Sequence, residues 1–209
     1  MIPQHTPMTV SGLQDALFTD IAGYSLSALG KMAIGREADP ALTYGECTPE
    51  AVAHILAITG AKQGDVFYDL GSGTGKMVVY AAFLVPLKKS VGVELLPELH
   101  KAAATVGDRY RQEIQPQFQD QRRETALSFQ LGDIFETDLS DADIVVSHCC
   151  TCFDDALMQK LSDKLEACKP GTRIVTITRG LSSPAFESVS MTPCQMGWGQ
   201  ATANLYRRR

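Results

Sequence analysis

An acid and three alternating glycines, Asp69, Gly71, Gly73 and Gly75, close one apolar run, and a second acid, Glu94, closes the next. Glycine is needed where a chain reverses with positive φ or where bare backbone must touch a ligand. An acid ending the following strand is placed to accept hydrogen bonds from the two hydroxyls of a ribose. Each piece alone is commonplace. Together in one unit of strand, turn, helix and strand, with Glu94 nineteen residues past Gly75, they describe a pocket for a nucleoside-containing cofactor.

What the turn lacks narrows the choice. A dinucleotide fingerprint has its third glycine where this chain has Lys76, and a P-loop has Ser or Thr after its lysine where this chain has Met77. The form Asp69-x-Gly71-x-Gly73-x-Gly75 resembles the signature of the class I S-adenosylmethionine (SAM) methyltransferases; a nicotinamide or other nucleotide site is the alternative. The resemblance implies that Asp69, Gly71, Ser72, Gly73, Gly75 and Lys76 face the methionine part of SAM. It implies also that Glu94, followed by Leu95, takes the ribose.

These residues need a sheet to hold them. The Thr48-Pro49-Glu50 start predicts a helix over 48–60: Thr caps the free amides, Pro suits the first position, and Glu complements the positive end, with Gly60 as the stop. Strands are expected at 66–70, 90–95, 127–131, 144–147 and 173–178, and helices at 74–85, 97–114 and 154–168. Strand and helix alternation demands a mainly parallel sheet. Strand-like segments at 188–192 and 201–207 have no helix between them, so they form a hairpin that turns one strand antiparallel. The expected fold is α/β: a Rossmann-like, doubly wound, seven-stranded, mostly parallel sheet with one antiparallel C-terminal strand. Residues 1–41 read as an N-terminal helical extension, with one or two short helices within 13–34, and residues 42–209 as the methyltransferase domain.

Composition sets the outer bounds. A chain of 209 residues with 44% hydrophobic and 21% charged residues suits one soluble domain. No apolar run approaches the ~20 residues that span a bilayer, and residues 1–5 lack the start of a signal peptide, so an intracellular protein is expected. A net charge of −5 argues against a broad nucleic-acid surface; Arg122-Arg123 and Arg207-Arg208-Arg209 read as solvated ends. The six cysteines are expected to be reduced, and Cys149-Cys150-Thr151-Cys152, without a second matching pair, to be buried thiols and not a metal site. Oligomeric state is not legible.

Ligands of open parallel sheets bind at the C-terminal strand ends. There the third strand offers Asp133 and Ile134, and in the SAM family an Asp at this place bonds the adenine amino group. A narrower resemblance runs from about residue 42 to 180. Tyr44-Gly45-Glu46, the capped helix, Asp69 to Gly73, Gly92-Val93-Glu94, Gly132-Asp133 and Gly171 to Val175 follow the order of the non-SET, disruptor-of-telomeric-silencing type histone lysine methyltransferases. By that resemblance Tyr44 and Glu46 belong to a lid over the methionyl end of SAM. The chain departs from the family after the fourth strand, where an Asn-Asn-Phe type motif is replaced by Ser147-His148-Cys149-Cys150-Thr151-Cys152-Phe153, and it lacks the family's long basic segment. A nucleosomal substrate is therefore not expected.

Methyl transfer from a sulfonium needs alignment and exclusion of water more than an acid–base pair. Tyr44, His148 and Phe153 are the residues expected beside the reacting groups. His148 is a proton acceptor by type, and Phe153 with Trp198 could wall an aromatic channel that favours a neutral amine. The expected activity is SAM-dependent methylation of a protein lysine. The alternatives are a small-molecule acceptor, such as an amine or thiol, and a SAM-binding interaction module without transfer.

Overall fold

In a computed structural model, which describes residues 8–209, β1 (Val66–Leu70) is buried along its whole length. It lies between β2 (Lys89–Glu94) and β4 (Ile144–Ser147), parallel to both. A strand buried on both faces has apolar residues throughout, as Val-Phe-Tyr-Asp-Leu shows, with the acid at its C-terminal end. With β3 (Ala126–Leu131), β5 (Arg173–Ile177), β6 (Phe186–Met196) and β7 (Gly199–Arg208), the sheet runs in the order β3-β2-β1-β4-β5-β7-β6. Only β7 is antiparallel to the others. This is the expected seven-stranded architecture.

The order reverses between β1 and β4, so the crevice at their C-terminal ends is the natural ligand position. Register decides what meets there. Leu70 pairs with Val93 on one side and Ser147 on the other, so Gly71, Glu94 and His148 leave the sheet side by side.

The helices follow their local signals. In α3 (Pro49–Thr59), Thr48 Oγ1 accepts from the Ala51 amide at 3.1 Å, and Gly60 ends the helix at φ 60°. The remaining helices are α4 (Lys76–Leu84), α5 (Pro97–Arg109) and α6 (Asp155–Glu166), the last capped by Asp154. The helix expected over 97–114 widens at Tyr110–Ile114 into a π turn.

Two helices precede these, α1 (Val10–Phe18) and α2 (Gly23–Ala33). Leu13, Leu17 and Phe18 of α1 sit in the same buried cluster as Val52, Phe67 and Tyr80. Arg109 of α5 ties α1 down, donating to the Ala16 carbonyl at 2.6 Å. The terminal residues 1–5, where a leader was expected to be absent, lie outside the described residues. Among the described residues no helix is long and apolar enough to cross a membrane.

The hairpin is longer than expected. Pro193 interrupts the strand signal, yet the strand runs through it because β6 is an edge strand, where Pro costs no ladder bond, and Cys194 and Met196 keep the alternation as buried positions. Met196 pairs with Gly199, leaving Gly197 and Trp198 as the turn. That extra length carries Trp198 across to the C-terminal end of β4.

Candidate active site

A cavity of about 580 Å³ opens at the crevice, bounded by the glycine turn, Glu94, Asp133, the residues after β4 and the hairpin tip. Its floor is backbone. The Gly71 and Ser72 amides both bond the Val93 carbonyl at 2.9 Å, which folds the turn over the end of β2. Gly73 has φ 54°, and a Cβ there would stand 2.9 Å from Tyr44 Cε2; a Cβ on Gly71 would stand 2.8 Å from Cys149 Cβ. Any side chain would fill the cradle.

Two buried acids border this floor. Glu94 accepts from the Gly73 amide through Oε2 and from the Leu96 amide through Oε1, each at 2.8 Å. Burial raises its pKa while the amide bonds oppose the rise. Each oxygen keeps a lone pair for a further donor, as a ribose diol would require. Asp69 is different: its Oδ1 is buried with no hydrogen-bond partner, and burial, then the neighbouring Glu94, pushes its pKa up to about 8. An unpartnered buried carboxylate beside a backbone cradle suits a ligand that carries positive charge.

Tyr44, Gly45 and Glu46 cover the turn. Tyr44 Oη donates to Glu46 Oε1 at 2.9 Å and lies 3.3 Å from Thr74 Oγ1, while Lys76 Nζ bonds Glu46 Oε2 at 2.7 Å. Burial raises the Tyr44 phenol's pKa, so it stays protonated. Lys76 thus reaches the lid through Glu46. Gly75 sits at the N-terminus of α4 with φ 85°, and a Cβ there would meet the Phe129 ring.

At the other end Asp133 Oδ1 accepts from the Phe135 amide at 2.9 Å, an Asx turn that aims the loop at the cavity, and Leu95 and Ile134 contribute apolar wall. Phe153 belongs to this end: its ring centroid is 6.2 Å from that of Phe135. The ring expected to wall an acceptor channel therefore lies on the Asp133 side.

His148 lies at the opposite side, beneath the hairpin tip. Trp198 Nε1 donates to His148 Nε2 at 3.1 Å, and the two ring planes lie within 11° of each other with centroids 6.0 Å apart, edge to edge through that bond. With Nε2 accepting, the neutral ring carries its proton on Nδ1. Burial pushes the imidazole down to about 4. The lone pair that a general base would use is thus shared with the Trp198 N–H. A Cβ on Gly45 would meet Trp198 Cδ1 at 2.8 Å, and the Gly197 amide bonds the Glu46 carbonyl at 3.0 Å, so the hairpin tip rests on the lid.

Residues Cys149–Cys152 form a single 3-10 turn. Cys149 Sγ bonds the Leu70 carbonyl at 3.2 Å, and burial raises its pKa well above the usual thiol range. All six cysteines are free, and among the described residues no group of three or more His, Cys, Asp or Glu side chains is placed to hold a metal. Two contributors had little signal in the sequence. Thr74 is one hydroxyl inside a glycine turn. The reach of Gly197-Trp198 depends on hairpin length, and only the flanking Gly-Trp-Gly hinted at the turn.

Residues 37–192 match the family model described as histone methylation protein DOT1. A protein-lysine N-methyltransferase of Saccharolobus islandicus (strain REY15A) is 34% identical over 132 residues, covering 62% of this chain and 72% of that protein. The H3 lysine-79 specific histone-lysine N-methyltransferase of Caenorhabditis elegans is 32% identical over 148 residues, 64% of this chain but only 14% of that much longer protein. Among solved structures, an RNA methyltransferase from Salinibacter ruber in complex with S-adenosyl-L-homocysteine superposes with a TM-score of 0.60 at 25% identity, covering 76% of this chain and 90% of that one.

Proposed function

The chain belongs to the histone methylation protein DOT1 family and is a class I SAM-dependent methyltransferase; from that premise we propose that its acceptor is a protein lysine. When bound, SAM supplies a methyl group on a sulfonium already activated for displacement. Asp69 offers its unpartnered carboxylate to the cationic methionine end, the bare backbone of Gly71 and Gly73 admits the ligand, and Glu94 uses its remaining lone pairs on the ribose. Tyr44 and Glu46, braced by Lys76 and Thr74, close the lid and keep water out. Asp133 and Ile134 receive the base.

The observation that supports lysine is the uncharged wall on the β4 side. His148 is neutral, Cys149 is protonated at physiological pH, and Thr151 and Trp198 carry no charge. A lysine ammonium, with an ordinary pKa near 10.4, must become a neutral amine before it attacks. A half-buried wall that itself carries no charge offers the ammonium no partner, and so favours loss of its proton to solvent on entry. His148 positions Trp198 and takes no proton itself.

The test is transfer of labelled methyl from SAM into protein extracts, repeated on extracts whose lysines are blocked by acetylation. Lysine transfer predicts labelled bands that vanish after blocking. Label entering a small thiol or amine and no protein band would sink the proposal.

A further inference from the structure

The inner face of α2 is made of small residues: Gly23, Ser27 and Gly30 are buried, while Tyr24, Leu29 and Met32 face solvent. Spacings of four and three put the buried three in one row. The row lies against two parts of the site. A Cβ on Gly23 would stand 2.4 Å from Tyr44 Oη and 2.8 Å from Glu46 Oε1, and a Cβ on Gly30 would stand 3.0 Å from Leu96 Cβ, two residues beyond Glu94. One end of the helix therefore rests on the lid and the other on the turn that follows the ribose acid.

Ser27 lies midway. It is 2% exposed, it lines the cavity, and its hydroxyl has no hydrogen-bond partner. A helical serine usually returns its hydroxyl to the carbonyl four residues back, and this one does not. Burying an unsatisfied hydroxyl destabilises the empty protein, so its persistence at a cavity wall points to a ligand that completes it. The family match begins at residue 37, beyond α2. Nothing in the shared motifs would have marked this helix.

We propose that α2 is the roof of the cofactor cavity and that Ser27 Oγ is a cofactor ligand, hydrogen-bonded to a polar group of SAM, either a ribose hydroxyl or the amino-acid end. This rests on the SAM reading of the cavity. Residues expected to be a mere extension would then belong to the binding site.

The full chain and its Ser27→Ala variant are compared by calorimetric titration with SAM, S-adenosylhomocysteine and 5′-methylthioadenosine, and by thermal melting without ligand. The variant, freed of an unsatisfied hydroxyl, should melt at the same or a higher temperature when empty. It should bind SAM about 5- to 20-fold more weakly, the worth of one hydrogen bond to a polar or charged group. An equal loss for methylthioadenosine and S-adenosylhomocysteine places the bond on the sugar; a loss for S-adenosylhomocysteine alone places it on the amino-acid end. Unchanged SAM affinity in a variant whose parent binds SAM overturns the assignment and leaves the cofactor reading standing, whatever the melting temperature does. A parent that fails to bind SAM overturns the cofactor reading itself.

Discussion

On the β1 and β2 side, the cavity wall is backbone amides and two buried carboxylates; on the β4 side it is a histidine, a half-buried thiol and an indole held by one hydrogen bond. The first wall presents fixed donors and acceptors to a polar ligand and has little room for substitution. The second is uncharged and depends on side chains brought from far apart. A ligand common to many enzymes can be held by the first kind of wall, while the second kind can change with the acceptor.

The strongest way to break this contrast is Gly73→Val. A β-branched residue at φ 54°, with its Cβ 2.9 Å from the Tyr44 ring, should lower SAM affinity by more than about 100-fold. Calorimetry on variant protein of native circular dichroism checks it, and near-normal affinity would mean that backbone approach is not what the floor provides.

Asp69→Asn should cost about 10- to 100-fold in SAM affinity at pH 8.5, the range for a bond to a charged group. Burial holds the wild-type carboxyl up at about 8, so its advantage over the amide variant should grow as pH rises through that value, the titration of the ligand's own amine being common to both proteins. Stability has the opposite sense. An acid whose folded pKa is raised gives its full stabilisation below its unfolded pKa near 4 and loses it as pH climbs to about 8. The empty Asp69→Asn variant should therefore melt above wild type at pH 9 and show less advantage at pH 5.

Effects on the other wall should be smaller and fall on the acceptor. Trp198→Ala should raise the acceptor KM by about 10-fold, as expected for loss of a large aromatic contact, while SAM affinity stays within about twofold. A SAM defect as large as the acceptor defect would erase the division between the walls. His148→Ala should raise the same KM by about threefold, a single neutral hydrogen bond's worth. Because Trp198 is the sole tryptophan, its emission should also shift when its hydrogen-bond partner is removed. The wild-type rate profile should show no His148 titration between pH 6 and 8, since burial holds that imidazole down at about 4.

The cofactor wall was legible because its signals are local. Val66 to Leu70, the glycine turn and Glu94 occupy one continuous βαβ unit, and the expected strand at 66–70 and helix start at Thr48 match the observed elements. The wall after β4 was less so. His148 and Phe153 are near neighbours in the chain, yet one faces Trp198 and the other Phe135. No spacing rule separates them, because the 3-10 turn between them rotates successive side chains to different sides.

The amino-acid order alone determined the strand sequence, the reversed C-terminal hairpin and the acid-glycine-acid spacing, since these follow from backbone sterics and alternation over a few residues. Tertiary structure decided the meetings: Trp198 with His148 fifty residues away, Gly197 with the Glu46 carbonyl, and Ser27 with the cavity. Each depends on sheet register and on how far an element extends. Those are settled by burial of the whole core, which no local pattern encodes.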